Sequence, residues 1–190
     1  MKPDESEFSA CIEAALKHGD EASMQRCVQQ HSHHCYKSSV PKSECFSNEF
    51  VTHLAQLIES DDFESSKGKI HIFLFMEYDW SRFDVNQLTR LRDAIAVFLN
   101  KTDDKESLFA ISELLGEYFD PSSVIDLIKR MAISDRESVR LFVPHALEHM
   151  SKRVSTSVPE SEMQSLLEAL SLDVSESIRH EANYAMKRLR

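Results

Sequence analysis

LIKRMAISDRESVRLFVPHALEHM (residues 127–150) and LLEALSLDVSESIRHEANYAMKRL (166–189) are one pattern written twice, 39 residues apart and without a gap. Leu127 and Ile128 fall on Leu166 and Leu167, and Met131 and Ile133 on Leu170 and Leu172. Glu137-Ser138-Val139-Arg140 falls on Glu176-Ser177-Ile178-Arg179, and Ala146-Leu147 on Ala185-Met186. Self-similarity at such a period marks a repeat architecture, in which each unit is one supersecondary element. One unit further back, Asp104-Lys105-Glu106-Ser107-Leu108 resembles Asp135-Arg136-Glu137-Ser138-Val139 at an offset of 31.

Each unit reads as two helices. Val124, Leu127, Ile128 and Met131 recur at 3–4 spacing in the first, and Val139, Val143, Ala146, Leu147 and Met150 form one stripe in the second. Asp, Ser and Glu stand between them, where a helix start wants side-chain caps and negative charge. A pair this short cannot bury its apolar stripe alone but can do so against stacked neighbours. Pro144 lies inside the second helix and should kink it, because it lacks the N–H that would bond to the carbonyl of Arg140. Upstream, helices are expected near 6–18, 20–34, 47–60, 66–78, 86–99 and 105–119, with loops at 35–46 and 61–67 and a stop-and-cap at Gly19-Asp20. The run Ile70-His71-Ile72-Phe73-Leu74-Phe75-Met76 has strand-like composition. It has no second strand to pair with, so a buried helix is expected.

The repeated unit resembles the HEAT repeat family. The resemblance is carried by Asp135 to Arg140 and Ser175 to Arg179, with Ile178 for Val, and by Ala146-Leu147 and Ala185-Met186. It is good over 121–190, weaker over 85–119, and only a helical pattern before that. It implies an all-α fold, an α-solenoid of about ten helices in antiparallel hairpins, whose concave face is lined by the second helix of each pair. The domain reading is one helical-repeat domain over 1–190, with a less regular N-terminal hairpin at 1–46 and HEAT-like repeats at 85–190.

Composition agrees. The 190 residues, 42% hydrophobic, suffice for one continuous core, and three glycines with five prolines are too few turn residues for a β-sandwich or barrel. No apolar run is long enough to span a membrane. The first residues carry acids where a secretory signal carries bases, so a cytoplasmic protein is expected if Met1 is the native start. A net charge of −10, spread along the chain, repels phosphate backbones and argues against a nucleic-acid binder. It suits a protein partner with a basic surface.

Chemistry-bearing groupings are few. Cys27, His31 and Cys35 recur every four residues and would place zinc-type ligands on one helix face, with Cys11 or Cys45 as a fourth. That spacing is not the usual zinc knuckle, and Cys can serve as a small core residue, so no metal is expected there. Cys11 and Cys27 lie symmetrically about Gly19-Asp20. Helix axes ~8–10 Å apart usually hold such a pair too far apart to bond, so reduced thiols are expected. His180-Glu181 resembles one His-Glu unit of deoxyhypusine hydroxylase, a HEAT-like di-iron enzyme. The matching positions of the preceding repeat are Leu141-Phe142, so no di-iron site can be built. HEAT-like DNA glycosylases need a basic concave face, and here that face carries acids. There is no glycine-rich phosphate loop, no Gly-x-Ser-x-Gly and no His-Glu-x-x-His, so neither catalysis nor a cofactor is expected.

Two surfaces are left for binding. Once the core stripes are assigned, the second helices leave His145, Glu148 and His149, then Glu181 and Tyr184, with Glu113 and Glu117 on the helix before them. Together they make an acidic stripe with aromatic and imidazole anchors. The turn Glu77-Tyr78-Asp79-Trp80-Ser81-Arg82-Phe83-Asp84 offers Tyr78, Trp80 and Arg82, residue types that often dominate interfaces. The expected function is non-catalytic protein binding. Its sharpest form is a bacterial immunity protein that neutralises a cognate toxin, with a HEAT-like adaptor or assembly factor as the alternative and a HEAT-scaffold enzyme behind both.

Overall fold

The computed structural model describes residues 5–18, 20–36, 45–153 and 157–189, without the side chains of 18 and 31–36. Every regular element among these residues is a helix, and none of the helices is long and apolar enough to cross a membrane. The chain forms two compact units, residues 1–102 and 103–190.

The first unit contains α1 (Glu5–His18), α2 (Glu21–Tyr36), α3 (Asn48–Glu59), α4 (Asp61–Ser65), α5 (Ile70–Asp79), a 3-10 turn (Trp80–Arg82) and α6 (Val85–Leu99). The ambiguous run at 70–76 is helical. Ile72, Phe73, Phe75 and Met76 are all buried, and burial on several sides is why its composition shows no polar face. Residues 61–65 were expected in a loop but form α4. Ser60 accepts the backbone N–H of Phe63, acids fill the first turn, and Phe63 anchors the helix in the core. Two aromatic clusters hold the unit. Phe46 stacks on Phe83 at 4.6 Å and on Phe50 at 5.4 Å, Phe8 stacks on Phe50 at 5.6 Å, and Phe75 stands edge-on to Phe8 and Phe46. Phe63, Phe73 and Phe98 meet pairwise at 5.4–5.7 Å. The segment that the sequence joined to the later repeats from residue 85 begins with α6, which packs on α3 in this first unit.

Cys11 and Cys27 are joined by a disulfide, with Cα atoms 5.8 Å apart. The expectation of reduced thiols is corrected. Both residues lie on the inner line of the α1–α2 hairpin, where Cα atoms approach more closely than the helix axes. The bond also removes Cys27 from the Cys27, His31 and Cys35 set, whose other two side chains lie outside the described residues.

The second unit contains α7 (Lys105–Glu113), which runs into one π turn (Leu114–Tyr118), then α8 (Pro121–Ala132), α9 (Glu137–Leu141), α10 (Val143–Ser151), α11 (Glu160–Leu170) and α12 (Glu176–Met186). Pro144 breaks its helix outright. Phe142 stands at φ −94°, ψ −3° between α9 and α10, and Pro144 sits in the first turn of the new helix, where its missing N–H costs nothing. The stripes Val124, Leu127, Ile128, Met131 and Val139, Val143, Ala146, Leu147, Met150 are all buried, as are Ile178, Ala182 and Ala185. The aligned Ile133 and Leu172 are instead exposed, 83% and 84%, because both fall just past the end of their helix.

The 39-residue offset reappears in the hydrogen bonds. Arg140 Nη1 donates to the carbonyls of Ser134 (2.7 Å) and Asp135 (3.1 Å), and Arg179 Nη1 to those of Asp173 (2.8 Å) and Val174 (2.9 Å). Each arginine thus closes the turn before its own helix, satisfying carbonyls left over from the preceding one. Arg140 also links the two turns, since its Nε and Nη2 donate to the carboxylate of Asp173 at 2.7 and 3.1 Å. That guanidinium holds the Asp173 carboxyl below its ordinary range.

Candidate functional site

α10 lies between the α7–π segment on one side and α12 on the other. Glu113 faces His145, with Oε1 3.8 Å from Nε2, and Glu117 faces His149, with Oε2 3.2 Å from Nδ1. Both partners advance by four residues, so the two segments run in the same direction and present two i,i+4 pairs to each other. The π turn sets this register. Phe119 N–H bonds to the carbonyl of Leu114, five residues back, which inserts one residue before the chain leaves the helix. Gly116 lies on the seam. A Cβ there would run into the carbonyl oxygen of Ala146 and come within 2.7 Å of the Cβ of His149. Only glycine allows the two backbones to come this close.

His145 is the most perturbed group of the face. Its ring stacks on Phe109 at 4.7 Å and meets that of His149 at 4.5 Å. Burial, reinforced by His149 and Lys152 and opposed by Glu148, pushes its pKa down to about 4. Its Nε2 is buried and makes no hydrogen bond. At 3.8 Å from Glu113 with a neutral ring, the contact is not an ion pair in the energetic sense. Glu113, His145 and His149 each offer one ligand atom, and these atoms all lie within 4.8 Å of one another.

On the α12 side, a cleft of about 220 Å³ is lined by residues including Glu148, Lys152, Glu181, Tyr184 and Arg188. Glu148 was read as part of an exposed acidic stripe. It is buried, 6% exposed, and its Oε1 is held by Lys152 Nζ at 2.6 Å and Arg188 Nε at 3.1 Å. Burial alone would raise its carboxyl, but the bond and charge of Lys152 and the charge of Arg188 outweigh that, and the pKa is lowered. Tyr184 stands 48% exposed and accepts a 2.7 Å hydrogen bond from Arg188 Nη1. Glu181 is exposed on the rim.

The structure therefore brings Glu113, Glu117, His145, Glu148, His149, Glu181 and Tyr184 onto one face of the second unit. Tyr78, Trp80 and Arg82 belong to the first unit. Tyr78 and Trp80 are exposed, 62% and 37%. Arg82 is not, because its Nε lies 3.1 Å from the fully buried carboxylate of Asp79. Its role is to neutralise that charge beneath the turn. Sequence reasoning missed the place of Lys152 and Arg188 at Glu148, although Glu148 and Lys152 stand at i,i+4, the spacing that signals a helical ion pair. It also passed over His145-x-x-x-His149 opposite Glu113-x-x-x-Glu117 as paired sets.

No protein-family model, curated protein or solved structure matches this chain. The functional reading rests on its own geometry.

Proposed function

We propose that this chain is a non-catalytic protein-binding module, an α-solenoid of antiparallel hairpins similar to HEAT repeats, whose partner docks on the face of α7, α10 and α12. The observation that carries the reading is the convergence of seven residues from three helices on that face, beside a cleft with Tyr184 on its rim. A polar cleft with an exposed tyrosine on its rim suits a protein surface. The partner is a protein with a basic surface, and a toxin neutralised by an acidic immunity protein is its sharpest form. Its attraction comes from Glu117 and Glu181, since Glu148 is already neutralised. In a cytoplasmic setting the Cys11–Cys27 pair would be kept reduced.

The partner is recovered by affinity capture with the full chain, and its association rate is then measured against salt. Glu181→Lys should slow association at low salt, with an effect that shrinks as salt rises. Tyr184→Ala should speed dissociation. Unchanged rates in both variants defeat the assignment and move attention to Tyr78 and Trp80. Glu148→Lys is not a clean probe, because it would place like charges against Lys152 and Arg188.

A further inference from the structure

We propose that Glu113, His145 and His149 bind one Zn²⁺ ion at the seam between the π turn and α10. Two histidines four residues apart project from the same side of a helix, and Glu113 reaches the same point from the facing segment. Their ligand atoms lie within 4.8 Å of one another. Around a tetrahedral zinc, with bonds of ~2.0–2.2 Å, ligand atoms stand roughly 3.4 Å apart. The contraction needed is about the reach of a side-chain rotation.

Two further details fit an ion and are not explained by packing. Stacking on Phe109 accounts for the face of the His145 ring but not for its Nε2, which is buried without a hydrogen bond and directed at a carboxylate 3.8 Å away. An ion between them would satisfy that nitrogen. His149 Nδ1 lies 3.2 Å from Glu117, the carboxylate–histidine arrangement that orients a metal-binding imidazole. Two nitrogens and one carboxylate oxygen favour zinc over magnesium or calcium, which take all-oxygen shells. Three protein ligands leave a fourth position for water or an incoming group. The inference revises the expectation of no metal, and it stands whatever the docking partner proves to be.

The test uses the full chain, stripped with a chelator and titrated with Zn²⁺ by calorimetry near neutral pH. One zinc per chain is expected. Glu113→Gln and His149→Gln should each weaken binding more than about 100-fold, and Glu117→Gln, which only orients His149, by about 10–100-fold. Tyr184→Ala should leave binding unchanged. Co²⁺ in place of Zn²⁺ should give the visible absorption of a four-coordinate site, lost in His149→Gln. Circular dichroism establishes that each variant folds, and Glu113→Gln, nearly isosteric, carries the test should a histidine variant fail. Absence of binding at one equivalent overturns the proposal. So does zinc bound equally well by the Glu113→Gln, His149→Gln double variant, the result expected if residues 31–35 hold the ion.

Discussion

In the first unit, eight phenylalanine rings of the interior meet in two clusters, Phe8, Phe46, Phe50, Phe75 and Phe83 in one and Phe63, Phe73 and Phe98 in the other. In the second unit the buried stripes are aliphatic, and polar side chains fix the turns. Arg140 and Arg179 repeat the same pair of carbonyl contacts, and Ser175 Oγ donates to Glu137 at 2.6 Å. Ring clusters fit one irregular cavity and have no reason to recur along the chain. Turn fasteners recur wherever the turn recurs. The difference teaches why the face that gathers histidine and glutamate lies in the second unit: parallel neighbours at a fixed register bring equivalent positions side by side.

The largest test of this contrast is Phe73→Ala. Phe73 is fully buried between Phe63 and Phe98, and its loss should cost about 3–5 kcal/mol in denaturant unfolding. A cost near that of a surface change would mean the aromatic cluster is not what holds the unit. Next is the disulfide. Reduction, or Cys11→Ser with Cys27→Ser, opens a loop with a sequence separation of 16 and should cost about 3 kcal/mol.

The arginines then separate repeat from link. Arg140→Met loses both its own turn and the bond to Asp173 and should cost about 1.5–3 kcal/mol. Arg179→Met loses only the turn, about 0.5–1.5 kcal/mol. Equal costs would show that the link to Asp173 contributes nothing.

Acid should weaken the metal-free second unit in a defined window. His145 has an ordinary pKa of 6.5 and a folded value of about 4, so between those values the unfolded chain binds the extra proton. Stability is then full above about pH 6.5 and falls toward pH 4. The groups facing the ring are Glu113, Glu148, His149 and Lys152, and His145→Gln should flatten this part of a pH–stability curve measured by thermal melting. The smallest effect belongs to Leu172→Ser, which should change stability by less than about 0.5 kcal/mol although Leu172 aligns with an apolar partner in the repeat.

Most of the secondary structure was legible because helical periodicity survives in single segments, and the stripe around Val139 is buried as the pattern required, as are Ile178, Ala182 and Ala185. α4 was missed because five residues carry no period, and only Ser60 as cap with Asp61 and Asp62 behind it could have marked it. The disulfide was misjudged because the spacing of helix axes was applied to side chains on the inner line of a hairpin. Within the candidate site, subtraction of the core gathered Glu113, Glu117, His145, His149, Glu181 and Tyr184 on one face, but it also left Glu148 exposed, which is buried. The site's electrostatics were not legible, since the burial of Glu148 depends on Arg188, 40 positions away in the chain. The π turn has no sequence signature of its own.

Gly116 has a consequence for the tolerances of the face. Where a backbone carbonyl and a Cβ meet the missing side chain directly, the gap between the two segments is set by atomic radii and not by rotamers. Glu117 and His149 therefore stand on backbones whose separation side-chain motion does not set. A single methyl group, in Gly116→Ala, would act as a shim, pressing on the Ala146 carbonyl and the His149 Cβ and moving Glu113 and Glu117 away from His145 and His149.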